Sequence, residues 1–284
     1  MSRHMKIISF TGGLGNQLFE YLFYRHLARR YPSTTIYGYY SHGRLKYHNG
    51  LEIQRWFDVE LPPSSFLTDC ISVLMRVLIK LRLAHASNEA TYTDGMNGLF
   101  FEGFWQGFRF QEATDVAALR FRRGIPLSAA NRTIINRMNG DEHSVAIHVR
   151  RGDYLEGIHA SFLGNVCAPD YYERALGELR RQLGEAAWRL YVFSDDADWC
   201  RKTFGHWPQT TFVDWNTGAE SFYDLYLMAH CRHHVIANST FSYWGARMAV
   251  RKGVTIYPRM WFRGYPSPDI FPHDWIAIGS EPER

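Results

Sequence analysis

Apolar and polar positions keep a regular period at the two ends of this chain and lose it in between. Residues 6-KIISF-10 form a short apolar run, followed by 11-TGGLGNQ-17 and then 18-LFEYLFYRHLARR-30. In the last of these Phe19, Leu22, Phe23 and Leu27 recur at helical spacing. The pattern predicts a strand, a glycine loop and a helix, the opening of an α/β unit. From about 41 to 140 the period is irregular. From about 141 it returns, with strands expected at 145–149, 190-LYVF-193, 235-VIA-237 and 254-VTIY-257. Helical patterns lie between them at 170-DYYERALGELRRQL-183, 221-SFYDLYLMAHC-231 and 240-TFSYWGARMAV-250. Asp170 and Ser221 stand where N-caps are expected, and Ser221 with Asp224 approximates a capping box. Strands alternating with helices at this spacing imply a parallel sheet covered on both faces. The expected architecture is two α/β domains facing a cleft, 6–140 and 141–284, with the tail of the second packing back.

Aromatic residues make up 16% of the 284 positions, enough to fill cores and still offer flat walls to the apolar faces of sugar rings. The net charge of +4 is far from the dense basic stripe that nucleic acid requires. Cys70, Cys167, Cys200 and Cys231 are scattered, so idle thiols in a reducing cytosol are expected, and neither Cys nor His shows metal-site spacing. The start, Met1-Ser2-Arg3-His4-Met5, lacks the apolar core of a signal peptide and reads as a remnant of expression before a native Met5. The run 71-ISVLMRVLIKLRLAHA-86 is interrupted by Arg76, Lys80 and Arg82, so it is not expected to span a bilayer. As a basic amphipathic helix it could lie on a membrane surface; packing on its own domain is the expectation, in a soluble protein.

The segment 145-VAIHVRRGDYLEG-157 ends an apolar strand with two adjacent arginines. In a parallel sheet, ligands bind beyond the carboxyl ends of the strands. Arg150 and Arg151 stand at such an end, and a guanidinium fork matches phosphate oxygens. The bland alternative pairs them with Asp153 and Glu156. In 235-VIANSTFSYWGA-246 a second strand end runs through Asn238, Ser239 and Thr240 into a helix, whose first amides suit an anion unless Ser239 or Thr240 merely caps them. Gly12, Gly13 and Gly15 allow close backbone approach, although no Gly-Lys-Ser/Thr follows and Leu18 replaces the third glycine of a dinucleotide fingerprint. Three loops after three strands can converge on a diphosphate, with arginine and helix dipole in place of a metal ion.

These residues also resemble a known family. The run 148-HVRRGDY-154 is similar to the signature of the α-1,2-fucosyltransferases, and 12-GGLGNQLFEY-21 resembles their N-terminal motif. Agreement continues through 164-GNVCAPDYYERAL-176, 191-YVFSDD-196 and 221-SFYDLYLMAHCRHHVIANSTFSYWGA-246. Weaker echoes lie in 50-GLEIQRWF-57, 103-GFWQGFRF-110 and 269-DIFPHDWIAI-278. The resemblance implies a two-domain GT-B-like fold with a Rossmann-like GDP-binding second domain. It implies GDP-β-L-fucose as donor, transfer to the 2-hydroxyl of a terminal galactose with inversion, and no required metal. Carried over, Arg150 grips the β-phosphate with Arg151 beside it, and His148 touches pyrophosphate or ribose. Asp195 or Asp196 reads the guanine edge or caps a helix. Asn238, Ser239, Thr240 and Phe241 lie along the phosphates, and Gly13, Gly15, Asn16 and Gln17 form the loop facing the donor.

An inverting transfer asks for a base near the acceptor hydroxyl. Asp153 and Glu156 are the first candidates and His159 the next; Asp153 can instead hold an arginine, and the departing phosphate can itself take the proton. The acceptor is expected against the first domain, where 101–110 and 37-YGYYSHGRLKYH-48 offer aromatic and polar groups. Other acceptors for the same donor stay open, as does a non-catalytic glycan-binding module. The expected partners are GDP-fucose and a galactose-terminated glycan, in the cytoplasm or at the inner membrane.

Overall fold

The computed structural model describes residues 5–40, 45, 48–95, 98–184 and 188–279. The chain divides between Ile125 and Pro126 into two units. In the first, strand β1 (Met5–Phe10) runs through the glycine loop into helix α1 (Leu14–Arg30) and then strand β2 (Thr35–Tyr40). Helices α2 (Ile53–Trp56) and α3 (Phe66–Lys80), strand β3 (Phe100–Phe101) and helix α4 (Ala113–Ala118) follow. The sheet is parallel in the order β2-β1-β3. Its core is aromatic. Phe23 of α1 stacks on Trp105 with centroids 3.6 Å apart and planes 2° from parallel, and Tyr92, Phe101 and Phe110 close around them. Trp105 and Phe110 are therefore core residues; of the expected sugar-wall run 101–110, Phe104 is the large ring left exposed. In the other expected acceptor stretch, 41–44 and 46–47 lie outside the described residues.

The second unit begins with helix α5 (Ala129–Met138), which leads into strand β4 (Ser144–Val149). Helices α6 (Gly157–Phe162) and α7 (Pro169–Leu183) precede strand β5 (Arg189–Ser194), helix α8 (Ala197–Phe204) and strand β6 (Thr210–Val213). Helix α9 (Phe222–His230), strand β7 (His233–Val235), helix α10 (Thr240–Arg247) and strand β8 (Thr255–Pro258) come next. The hairpin β9 (Met260–Phe262) with β10 (Tyr265–Pro266) and the last strand, β11 (Ile276–Ile278), complete it. Six strands pair in parallel in the order β11-β8-β7-β4-β5-β6. Counted from β4, this is the doubly wound 3-2-1-4-5-6 arrangement, whose strand order reverses between β4 and β7. On one face Val145, Ile147 and Val149 pack against Tyr171, Tyr172, Ala175, Leu176 and Leu179 of α7. Ala146 and His148 point to the other face, as the pleat requires.

Three local expectations change. Helix α7 starts one residue early, with Ala168 at its N-cap and Pro169 at the first helical position, so Asp170 sits in the first turn. Ser221 occupies the cap of α9 with helical backbone and makes no side-chain cap bond, so no capping box forms there. Helix α3 does fold on its unit, with Thr68 and Ser72 buried and Ile71, Met75, Leu78 and Ile79 half-buried, while a second set of apolar residues faces outward.

Candidate functional site

The site builds from the carboxyl ends of three adjacent strands. At the end of β4 the Arg150 side chain is one-third exposed, with Nη2 2.8 Å from Asp153 Oδ1 and Nε 3.3 Å from Asp195 Oδ2. Asp195 follows β5, so the neighbouring strand supplies the second carboxylate. Burial opposes the charge on Arg150, but Asp195 and Asp153 more than offset it and raise its pKa. The other oxygen of Asp195 accepts from the backbone N–H of Arg151 at 2.9 Å. A side chain at Gly152 would put its Cβ 2.9 Å from Asp195 Oδ2, so glycine is what lets this loop close on the carboxylate.

Arg151 turns the other way. Its Nε donates to Asp196 Oδ2 at 3.1 Å, and its guanidinium lies 4.4 Å from the Trp199 ring. Asp196 is also the N-cap of α8, its Oδ1 accepting from Trp199 N at 3.0 Å. Both carboxylates expected near a guanine edge are thus engaged with the arginine loop, and Asp196 with its own helix as well.

His148 lies inside the same corner, 6% exposed, with its ring 5.9 Å from that of Phe241 on α10. Burial, assisted by the charge on Arg150, pushes its pKa down to about 3, so the imidazole is neutral. Its Nδ1 is buried without a hydrogen-bond partner among the described residues. A buried ring nitrogen left unpaired is costly and marks a place where a ligand can complete the site.

The third strand end is less open. Asn238 is 2% exposed, donates to the carbonyls of Leu163 and Trp261 at 3.3 and 3.0 Å, and accepts from Cys167 Sγ at 3.6 Å. Its side chain ties loops together and is turned away from a ligand's reach. Ser239 holds the N-cap of α10 without a side-chain cap bond, and Thr240 and Phe241 form the first turn. That leaves the positive end of α10 beside Arg150 and His148. Tyr154 completes the link. Its hydroxyl donates to the Asn238 carbonyl at 3.1 Å and its ring lies 5.6 Å from the Arg150 guanidinium. Neither ring is assigned a role from sequence: Tyr154 falls in the run 148–154 beside the paired arginines, which was a usable signal, whereas Trp199 lies beyond the run 191–196 and carries none.

Glu156 caps the short helix α6 without a side-chain cap bond and is exposed, as is His159. A cavity of about 450 Å³ opens beside β8 and β11, lined by Tyr257, Arg259, Asp269, Phe271, His273 and Trp275 among others.

The glycine loop belongs to the first unit. Gly12 adopts φ +76°, where a Cβ would meet Asn16 Nδ2 at 2.7 Å. Gly13 is the N-cap of α1, and Gly15 is buried in its first turn. Asn16 Oδ1 accepts from Gln106 Nε2 at 3.3 Å. Gln17 is fully buried; its Nε2 donates to the carbonyls of Gly12 and Gly50 at 3.0 and 2.8 Å. Its Oε1 accepts from Glu52 N and Ile53 N at 2.9 and 3.1 Å. Gln17 therefore fastens the loop to the segment before α2, and Glu20 grips Thr11 N through both oxygens at 3.0 Å.

The profile of glycosyl transferase family 11 matches residues 98–279, well over half of the chain. The chain belongs to glycosyl transferase family 11. An alpha-1,2-colitosyltransferase of Escherichia coli is 29% identical over 94% of this glycosyltransferase and 97% of its own length. A galactoside 2-alpha-L-fucosyltransferase of Mus musculus is 29% identical over 51% of the chain and 41% of its own length. Among solved structures, the NodZ alpha-1,6-fucosyltransferase soaked with GDP-fucose aligns over 87% of the chain and 93% of its own, with TM-score 0.52 and 16% identity. At that identity the likeness concerns the fold, which is the GT-B-like α/β fold expected. Among the described residues no group of three or more His, Cys, Asp or Glu is placed to hold a metal ion, and no helix is long and apolar enough to cross a membrane.

Proposed function

We propose that this family 11 glycosyltransferase moves L-fucose from GDP-β-L-fucose to the 2-hydroxyl of a terminal galactose, inverting to an α linkage. One observation carries the reading. Arg150 and Arg151 stand where the strand order reverses, each held by a carboxylate from the end of β5, beside the N-terminus of α10. Fixed guanidinium groups next to helix amides favour a diphosphate. As the bond from fucose C1 to the phosphate oxygen breaks, negative charge grows on the β-phosphate. Donors already aimed at it stabilise that transition state more than the ground state.

In this reading Arg150 meets the β-phosphate with Arg151 beside it. Neutral His148 offers Nδ1 to pyrophosphate or ribose, and Ser239, Thr240 and Phe241 form the wall along the phosphates. Asp195 and Asp196 hold the arginines, and Asn238 holds the loop that ends β7. Asp153 is bound to Arg150 and serves as a positioning residue, which leaves Glu156 as the carboxylate for a base. Donor contacts by Gly13, Gly15 and Asn16 rest on the family resemblance alone, and Gln17 is assigned to fastening their loop. The donor is a substrate, and no metal enters the reaction.

A second reading is favoured by the near full-length similarity to the colitosyltransferase. There the sugar moved is colitose, which is fucose without its 3-hydroxyl, and the diphosphate site is unchanged. Incubation with GDP-fucose or GDP-colitose and a panel of terminal-galactose oligosaccharides, followed by linkage analysis, tests both. An α-1,2-fucosyl product is expected. Transfer from GDP-colitose alone selects the second reading, and a product on another hydroxyl overturns the acceptor assignment.

A further inference from the structure

Helix α3 turns one of its apolar faces away from its own unit. Phe66 and Leu67 are 86% and 65% exposed, Val73 and Leu74 52% and 56%, and Val77 and Leu81 50% and 61%. At 100° per residue these six side chains fall on one continuous arc. The opposite side carries the buried Thr68 and Ser72, with Ser72 Oγ donating to the Thr68 carbonyl at 2.7 Å. Ile71, Met75, Leu78 and Ile79 lie half-buried on that inner side, so the six outward residues are surplus to what the helix needs to pack on its own unit. The helix is nonetheless firmly started, by a capping box in which Ser65 and Thr68 exchange side-chain and backbone bonds.

Charge says what covers this face. Arg76 and Lys80 lie along one border of the arc, Arg82 follows, and Asp69 is the only acid between 66 and 83. Fifteen residues bordered by cations cannot cross a bilayer, but an apolar arc with basic residues at its edge matches a helix lying in the headgroup plane. A second copy of the chain would set each cationic border into the rim of its own image, with one acid per chain to offset three cations. Lipid phosphates complement that border directly. We propose that the face from Phe66 to Leu83 seats the chain on an anionic bilayer surface, with the apolar arc in the acyl boundary and Lys80 and Arg82 at the phosphates.

The test is co-sedimentation of the full chain with vesicles of equal parts phosphatidylglycerol and phosphatidylcholine, against vesicles of phosphatidylcholine alone. Binding to the anionic vesicles, weakened by salt, is expected. Removing two surface cations in Lys80→Gln/Arg82→Gln should lower partitioning roughly 25-fold, about fivefold per charge. Leu74→Glu/Val77→Glu alters only exposed positions and should abolish binding while transfer to a soluble acceptor and the circular dichroism spectrum stay unchanged. Absence of binding by the parent chain, or full binding by the Leu74/Val77 variant, overturns the proposal. So does a concentration-dependent dimer in sedimentation that this variant dissolves, since a second copy would then cover the face.

Discussion

Asp195 reaches across from the end of β5 to place its Oδ2 3.3 Å from Nε of Arg150, while its Oδ1 accepts from the N–H of the next residue, Arg151. One carboxylate thus sets both the direction of a guanidinium and the path of the backbone that carries it. An arginine held from two sides loses little freedom when a phosphate arrives, and that is the condition for stabilising developing charge without reorganisation.

Arg150→Ala should therefore lower turnover on the order of 100-fold, comparable to the loss of an oxyanion-hole donor. Arg150→Lys should restore little, because a single ammonium cannot face Asp153, Asp195 and a phosphate together. Asp195→Asn should cost less than Arg150→Ala, since it loosens the arginine without removing it. Steady-state kinetics with GDP-fucose decide the matter. Activity of Arg150→Ala within about threefold of the parent would remove the residue from this role.

Gln17 leads to a different kind of prediction. Its four hydrogen bonds all go to main chain, and its side chain is fully buried. Gln17→Ala leaves Glu52 N–H and Ile53 N–H without their acceptor, at a cost of roughly 2–4 kcal/mol. Gln17→Glu keeps the acceptor and loses the donors to Gly12 and Gly50, so it should fall between. A lower melting temperature with donor KM nearly unchanged is expected. The reverse outcome, a raised donor KM with normal melting, would make Gln17 a donor contact after all.

The same residue shows what could be read from sequence and what could not. A glutamine after a glycine loop looks like a ligand contact, and only the fold reveals that Gly50 and Glu52 come round to use its hydrogen bonds. Strands β4 and β5 and helices α7, α9 and α10 were legible because their apolar period is strong and fully buried. Strand β7 was expected two residues late, because His233 and His234 read as polar. In the fold His233 Nδ1 accepts from Val254 N at 3.0 Å and His234 Nε2 bonds the Met228 carbonyl at 2.9 Å, so both are satisfied core residues. Strand β6 and helix α8 are not legible: four residues, Thr210–Val213, carry too little pattern, and α8 buries only Cys200 and Phe204. Arg150 and Arg151 were legible as a pair, but not their partners. Which carboxylate reaches which arginine depends on the register of β4 with β5, and that is a tertiary fact.

Those buried histidines make stability depend on pH. Burial holds the pKa of His148 near about 3 and those of His233 and His234 near about 4, against about 6.5 when unfolded. Below pH 6.5 the unfolded chain therefore takes up protons that the folded chain refuses. Their contribution is complete above that pH and is lost progressively as pH falls. Asp224 acts the other way: burial raises its pKa to about 7, so the folded state keeps a proton that the unfolded state releases above about 4. Three groups outweigh one, and the melting temperature should fall by several degrees as pH drops from 6.5 to 4. Asp224→Asn should steepen that fall and stabilise the chain above pH 7, with Asn216 still donating to the Oδ1 it now meets at 2.8 Å. A melting temperature that rises on acidification contradicts the assignment of these histidines as neutral.

The two arginines also predict how the reaction responds to chelation. In the proposed transfer a departing GDP carries charge that must be met at the moment of bond breaking, by two guanidinium groups at the carboxyl end of β4 and the first turn of α10 after β7. Neither partner is titrated or removed by EDTA. Fucosyl transfer should proceed at the same rate in EDTA as without it, and added manganese or magnesium should not raise it. GDP should stabilise the chain in EDTA, by about 2.7 kcal/mol at a hundredfold excess over its Kd, and the stabilisation should shrink in Arg150→Ala. Transfer that stops in EDTA and returns with manganese would mean that a cation does the work assigned here to Arg150 and Arg151.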